Sequence, residues 1–232
     1  MGLLIFCIFQ YVFNMMIIKN KIEEYTESFT TPEPEIVQRL VRESEQNLEY
    51  TDMISGRQAG MLLRLLVQLS GAKRVLEIGT FTGYSALMMA DVMNKKSELI
   101  TIDINLHYRN ISDRYFAEAP YNEIIRQISG NALDILPKLE GLFDLIFLDA
   151  DKVNYPDYFR LLKRKLNRGG ILVADNTLWG GEVISAETEK GKAVHCFNEL
   201  LRDDPSFEQV MLPVRDGITI ARFSDVSEKS NI

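Results

Sequence analysis

From Arg74 to Phe223 the chain alternates short apolar runs with segments of helical period, and this alternation limits the possible folds more than any other feature. RVLEIG (Arg74–Gly79), ELITIDIN (Glu98–Asn105), EIIRQISGNA (Glu123–Ala132), DLIFLDA (Asp144–Ala150) and GILVAD (Gly170–Asp175) predict strands. TFTGYSALMMADVM, roughly Leu106–Ala119, LDILPKL, YPDYFRLLKRKL and Glu187–Asp203 read as the intervening and following helices. FEQVMLPV and GITIARF close the pattern as two strands around Arg215-Asp216-Gly217. A strand that returns through a helix must run parallel to its predecessor. The expectation is therefore an α/β fold: a seven-stranded, mostly parallel sheet with a C-terminal antiparallel hairpin and helices on both faces. Such sheets bind ligands outside the carboxyl ends of their strands.

Three helices are expected ahead of the first strand. One runs from Ile22 to Phe29, and one follows Pro34-Glu35 with Ile36, Leu40, Val41 and Leu48 on a single face. The third covers about Ser55 to Leu69 and ends at Ser70-Gly71.

Two of the apolar runs end in acid. FDLIFLDADKVNY gives Asp149 and Asp151 with Lys152 just beyond, and GGILVADNTLWGG gives Asp175 followed at once by Asn176. If these runs are neighbouring parallel strands, Asp149, Asp175 and Asn176 surround one point. Two carboxylates and an amide are hard oxygen donors, which suit magnesium, or calcium, better than zinc. Strand ends are often polar for reasons of solvation alone, and any single acid here has that plain explanation.

A second pattern is EIGTFTGYS, Glu77 to Ser85. A strand ends, Gly79 permits a tight turn, and Gly83 lets the backbone approach a ligand before the next helix. The spacing lacks the third glycine of a dinucleotide fingerprint, although Asp103 ends the next strand where an acid meets ribose hydroxyls.

Composition narrows the class. The 232 residues are 46% apolar, enough for a full core, and the formal charge is -7 with a pI near 5.0. This balance argues against nucleic acid as the main partner. Cys7 and Cys196 form no metal or redox motif and read as reduced thiols of a cytoplasmic protein. Residues 1–20 are an apolar extension, MGLLIFCIFQYVFNMMII followed by Lys19 and Asn20. They are open to reading as a membrane anchor, a secretory signal, a non-anchoring extension or a misassigned start, the true one being Met15 or Met16. Residues 21–225 are expected to form a single domain and 226–232 a polar tail that frays.

Taken together, LEIGTFTGYS, FLDADKVNY and ADNTLWGG resemble the cation-dependent O-methyltransferases, the group of the caffeoyl-CoA and catechol enzymes, over roughly Tyr50 to Phe223. The resemblance implies a Rossmann-like methyltransferase fold, S-adenosylmethionine, and a divalent cation, Mg2+ or alternatively Ca2+ or Mn2+. It also implies methyl transfer to one hydroxyl of a catechol-like small molecule, and a homodimer. By this resemblance Asp149, Asp175 and Asn176 hold the metal and Lys152 is catalytic. Met53, Gly60, Glu77, Gly79, Gly83, Ser85, Asp103, Asn131, Ala132 and Asp149 fall at cofactor-binding positions. Trp179 flanks the acceptor, and Tyr155 either shapes the same pocket or is an ordinary helix-start residue. Asn131 stands where the family often has Asp, and Met61 where a glutamine is common.

Two roles for Lys152 stay open, general base or fixed cation beside a phenolate, since an ordinary lysine is protonated at neutral pH. A nucleotide-linked oxidoreductase and a non-catalytic S-adenosylmethionine-binding module are the alternative functions. His107, expected in a surface helix, and His195 have no ligand spacing. Leu87, Met88, Met89 and Val92 read as core, and Lys163-Arg164-Lys165 as a solvated helix end.

Overall fold

The computed structural model describes residues 21–49 and 53–224. The readings made above for residues 1–20, Cys7 and the tail 226–232 lie outside these residues. Helix α1 is described over residues 21–28. It is followed by α2 (Glu35–Asn47), α3 (Gly56–Ser70), β1 (Arg74–Ile78), α4 (Tyr84–Ala90), β2 (Glu98–Asp103), α5 (Arg109–Glu118) and β3 (Ile125–Ser129). Then come α6 (Ala132–Ile135), β4 (Phe143–Leu148), α7 (Tyr155–Leu162), β5 (Leu166–Asp175), α8 (Glu189–Arg202), β6 (Phe207–Leu212) and β7 (Ile218–Phe223). The seven strands form one sheet in the order β3-β2-β1-β4-β5-β7-β6. β1 to β5 pair in parallel, and β7 runs antiparallel to both β5 and β6. The alternation in the sequence anticipated this architecture.

Period-two alternation divides the core. Val75, Leu99, Leu145, Phe147 and Val173 face α2, α3 and α4, meeting Val37, Leu40, Leu63, Val67 and Tyr84. Leu76, Ile78, Ile100, Ile146, Leu148 and Leu172 point the other way, onto Tyr155, Phe159 and Leu162 of α7 and Phe197 of α8. Leu87, Met88 and Met89 are fully buried, as expected of core positions. Among the described residues no helix is long and apolar enough to cross a membrane.

Several boundaries differ from expectation, each with a local cause. β3 is shorter because Asn122–Ile124 form a 3-10 turn before it, and Gly130 (φ 141) breaks it before Asn131 caps α6. β5 begins at Leu166 instead of Gly170, with a register irregularity against β4 between Phe143 and Leu145. His107 is not in a helix: its N–H donates to Asn105 Oδ1 (2.9 Å), and this side-chain-closed turn delays α5 to Arg109. His195 does lie in α8, half-buried, 3.6 Å from Glu199.

Candidate active site

The register of the sheet assembles the site. The β4–β5 ladder ends with Leu148 beside Ala174, so the next residues, Asp149 and Asp175, stand opposite each other at neighbouring strand ends. Adjacent strands are about 4.8 Å apart. Both acids share the parity of Phe147 and Val173, as do Glu77 with Val75 and Asp103 with Leu99. The acids at the ends of four strands therefore lie on the α3–α4 side of one rim.

Asp175 is 4% exposed. Burial first, and the Asp149 charge second, push its carboxyl up to about 7, against the opposing pull of Lys152 and of the Asn176 N–H. Two carboxylates at this spacing call for a counter-charge. One is present: Lys152, 6% exposed, donates to Asp149 Oδ1 (2.8 Å) and to the Tyr155 hydroxyl (2.6 Å). Tyr155 in turn donates to the Asp175 carbonyl (2.9 Å), with Leu148 O at 3.3 Å. Burial, and then the surrounding carboxylates, keep the Tyr155 hydroxyl protonated. The chain Asp149–Lys152–Tyr155–Asp175 thus ties the two strand ends together. Two of the three Lys152 N–H donors are spent within it, and the third has no hydrogen-bond acceptor among the described residues.

This network corrects one expectation. Tyr155 has no exposed surface, and its ring packs 5.2 Å from Phe197. It sits beneath the site, fixing Lys152, and does not line an acceptor pocket. The spacing of Lys152 and Tyr155, three residues across a 3-10 turn into a helix, is the signal that could have shown this.

Asp149 Oδ2, Asp175 Oδ2 and the Asn176 side chain have no hydrogen bond among the described residues. Asn176 takes a left-handed φ of 55, which Asn tolerates better than most residues, and its N–H closes onto Asp175 Oδ1 (2.7 Å). The donors available to a cation are thus two carboxylates and an amide. Among the described residues no group of three or more His, Cys, Asp or Glu side chains could hold a metal. The donor set fits a hard cation that keeps positions open for other oxygen ligands.

Beside this point lies the turn after β1. Gly79 has φ 102, and a Cβ there would lie 1.9 Å from the Asp149 carbonyl oxygen, so the turn and the β4 end touch backbone to backbone. At Gly83 (φ 93) a Cβ would lie 2.7 Å from the Phe116 ring. Asp103 Oδ2 accepts from the N–H groups of Thr80 (2.9 Å) and Phe81 (2.8 Å), and Oδ1 from Asn105 (2.7 Å). The acid that sequence assigned to ribose hydroxyls also shapes the glycine turn.

The O-methyltransferase family profile matches residues 26–223. The chain belongs to this family. It is 35% identical over 204 residues to caffeoyl-CoA O-methyltransferase 2 of Populus trichocarpa, a match covering 82% of each chain. It is 36% identical over 187 residues to tricin synthase 2 of Oryza sativa subsp. japonica, covering 75% of this chain and 64% of the rice protein, just under two thirds of its length. Among solved structures, the O-methyltransferase TomG of Streptomyces achromogenes, in complex with SAM, superposes with a TM-score of 0.79 at 29% identity, covering 88% and 96% of the two chains.

The remaining expected residues of this O-methyltransferase are spread around the same rim. Met53 is 51% exposed at the start of the segment leading to α3. Gly60 is buried within α3, where a Cβ would come 2.7 Å from the Tyr84 hydroxyl, so packing alone accounts for a glycine there. Asn131 Oδ1 accepts from Leu133 N–H (3.0 Å), which divides that oxygen between capping α6 and the expected contact with adenine. Ala132, next to it, is buried. Trp179 adopts φ 44, a strained value for a bulky side chain. Asp216 holds that loop by accepting Gly180 N–H (2.6 Å), and Lys190 Nζ, which sequence reasoning missed, lies 5.3 Å over the Trp179 ring.

Glu77 is fully buried, and the hydroxyls of Ser85 and Thr101 donate to its two oxygens. Burial raises its carboxyl from the ordinary 4.5 to about 8, outweighing those two hydrogen bonds; Asp149 and Asp103 add to the rise. Folded cofactor-free enzyme therefore keeps this proton up to about pH 8, whereas the unfolded chain releases it near 4.5. Between those values the unfolded state binds fewer protons, so stability falls as pH rises. Glu77→Gln, a mimic of the protonated acid, is expected to flatten that fall. Urea midpoints of both proteins from pH 5 to 8 check this; parallel curves would refute it.

Proposed function

We propose that this chain is an S-adenosylmethionine-dependent and divalent-metal-dependent O-methyltransferase acting on a vicinal diol of a catechol-like small molecule. The observation that carries the reading is the pairing of Asp149 and Asp175 at adjacent strand ends, with Lys152 fixed beside them and the Gly79 turn in backbone contact with Asp149. The SAM complex of TomG supports the cofactor. The name of the poplar relative supports a caffeoyl-like aromatic acceptor.

In this reading Asp149, Asp175 and Asn176 hold the cation. Gly79, Gly83 and Ser85 form the cradle for the methyl donor, with Glu77 beneath them. Asp103 retains lone pairs for ribose hydroxyls, Asn131 and Ala132 sit at the adenine end, and Met53 covers the cofactor. Trp179 forms one wall for the acceptor ring. When bound, S-adenosylmethionine supplies the electrophilic methyl group and the cation supplies Lewis-acid polarisation of the acceptor hydroxyls. Lys152 is rigid, since Asp149 and Tyr155 fix two directions of its nitrogen, and the third faces the hydroxyl that loses its proton. It serves there as proton acceptor when neutral and as a fixed positive charge when protonated. Holding the reacting groups in line contributes much of the rate, with effective molarities on the order of 10⁵ M or more. No covalent intermediate with the protein is required.

The test is product mass spectrometry with labelled methyl donor, on catechols, caffeoyl esters and flavonoids, with Mg2+ and with chelator. Methylated diol in the Mg2+ arm alone is the expected result. Tight S-adenosylmethionine binding without transfer to any diol would leave a binding module instead. A homodimer is part of the proposal and is checked by sedimentation.

A further inference from the structure

The turn between β6 and β7 carries a charge that methyl transfer as described leaves unused. Thr177 N–H donates to Gly217 O (3.0 Å), and Leu178 N–H to Asp216 O (2.9 Å). Gly180 N–H donates to the Asp216 side chain (2.6 Å). These bonds fasten Arg215, itself at φ 51, to the loop that bears Asn176 and Trp179. From there its guanidinium crosses to the start of α3. A Cβ built on Gly56 would lie 1.8 Å from Arg215 Nη1, so glycine leaves the space the guanidinium fills. Asp175 pairs with Ile218, three residues beyond Arg215, so the turn sits at the same end of β5 as the acid pair.

The neighbouring arginine behaves differently. Arg57 Nε donates to Glu33 Oε2 (2.9 Å) and its Nη1 to Glu27 O (3.4 Å). Arg215 is half-buried and has neither ion pair nor hydrogen bond among the described residues. Partial burial of a guanidinium without an acceptor is unfavourable, and its planar fork is matched to a planar anion.

We propose that Arg215 is a specificity-determining residue that receives a carboxylate carried by the methyl acceptor, while the acceptor's diol lies at the Asp149–Asp175 end of the cleft. One guanidinium balances one carboxylate. The nearby acids Asp175 and Asp216 and the net charge of -7 disfavour a phosphate dianion in the same place. The inference rests on the methyl-transfer reading above. The other carboxylate in such a site is the cofactor's own, and the experiment separates the two.

The experiment uses the full chain with Mg2+ and labelled S-adenosylmethionine. Two acceptors are compared, a 3,4-dihydroxyphenyl carboxylic acid and its neutral methyl ester, with wild type, Arg215→Met and Arg215→Lys. Arg215→Met is expected to raise KM for the acid about 10- to 100-fold, the effect of losing a charge-assisted pair, with kcat little changed. KM for the ester and the calorimetric affinity for S-adenosylmethionine should stay within about twofold, and Arg215→Lys should recover part of the loss. Equal effects on acid and ester would overturn the inference and leave Arg215 a structural residue. A fall in S-adenosylmethionine affinity with acid and ester unaffected relative to each other would overturn it in favour of the cofactor carboxylate. Wild-type enzyme that methylates neither diol would overturn the methyl-transfer reading itself, and this inference with it.

Discussion

Asp149→Asn is expected to lower metal-dependent methyl transfer by at least about 100-fold while the cofactor-free protein remains folded. Removing groups that merely support metal ligands costs about 10- to 100-fold, and Asp149 is proposed as a ligand itself. The amide keeps an oxygen for Lys152, whose 2.8 Å bond to Asp149 Oδ1 would otherwise be lost from a site only 6% exposed. It also removes the charge that, after burial, does most to raise the Asp175 carboxyl. Asp175 then holds its own charge more easily, so the stability of the metal-free protein should change by less than about 1 kcal/mol. Two measurements together decide the matter. Initial rates against Mg2+ concentration should lose their saturable rise, and the melting temperature should stop increasing when Mg2+ is added. A variant that still saturates with Mg2+ at the wild-type rate would remove Asp149 from the cation site.

The pairing of these two acids was legible in the chain because it needs little information. Two apolar runs joined by one helix usually lie as parallel neighbours, as β4 and β5 do and β3 and β4 do not, and residues at the carboxyl ends of such neighbours meet. The exact opposition of Asp149 and Asp175 adds only the register, which the ladder from Leu145 beside Ile171 to Leu148 beside Ala174 supplies. What the chain did not disclose depends on contacts between residues distant in sequence. Thr101 reaches Glu77 because β1 and β2 pair them directly, a fact of register and not of motif. Arg215 meets Gly56 only because a hairpin at the far end of the chain folds beside β5, 159 positions along the numbering from α3. Tyr155 was weighed correctly as a helix-start residue but also as a pocket wall. Only the packing of Phe197 against its ring shows that it is sealed below Lys152. Local patterns therefore located the acids and the glycine turn, while the groups that fix them in place emerged with tertiary packing.

Gly79→Ala is expected to be the most damaging single methyl group added to this chain, costing about 3–5 kcal/mol of stability. The residue sits at φ 102, where an L side chain is strained by about 1–3 kcal/mol before any contact is considered. Its Cβ would also stand 1.9 Å from the Asp149 carbonyl oxygen and 2.7 Å from the carbonyl carbon. Both are backbone atoms, which have no rotamer by which to withdraw, so overpacking adds a further 1–3 kcal/mol or so. Relief requires β1 and β4 to part at their ends. That movement breaks the bond from Asp149 N–H to Ile78 O (2.8 Å), which joins the two ends, and it carries Asp149 away from Gly79. Stability and catalysis should accordingly fall together. Gly71→Ala is the control: it too replaces a positive-φ glycine, at 65, but nothing lies within 4 Å of the added Cβ. Its cost should be about 1 kcal/mol, with methyl transfer unaffected. Urea denaturation of the two variants beside wild type separates strain in φ, which they share, from collision with the β4 end, which only Gly79→Ala suffers. Equal losses in the two would mean that the Gly79 turn does not press on Asp149, and that the cradle and the acid pair are positioned independently.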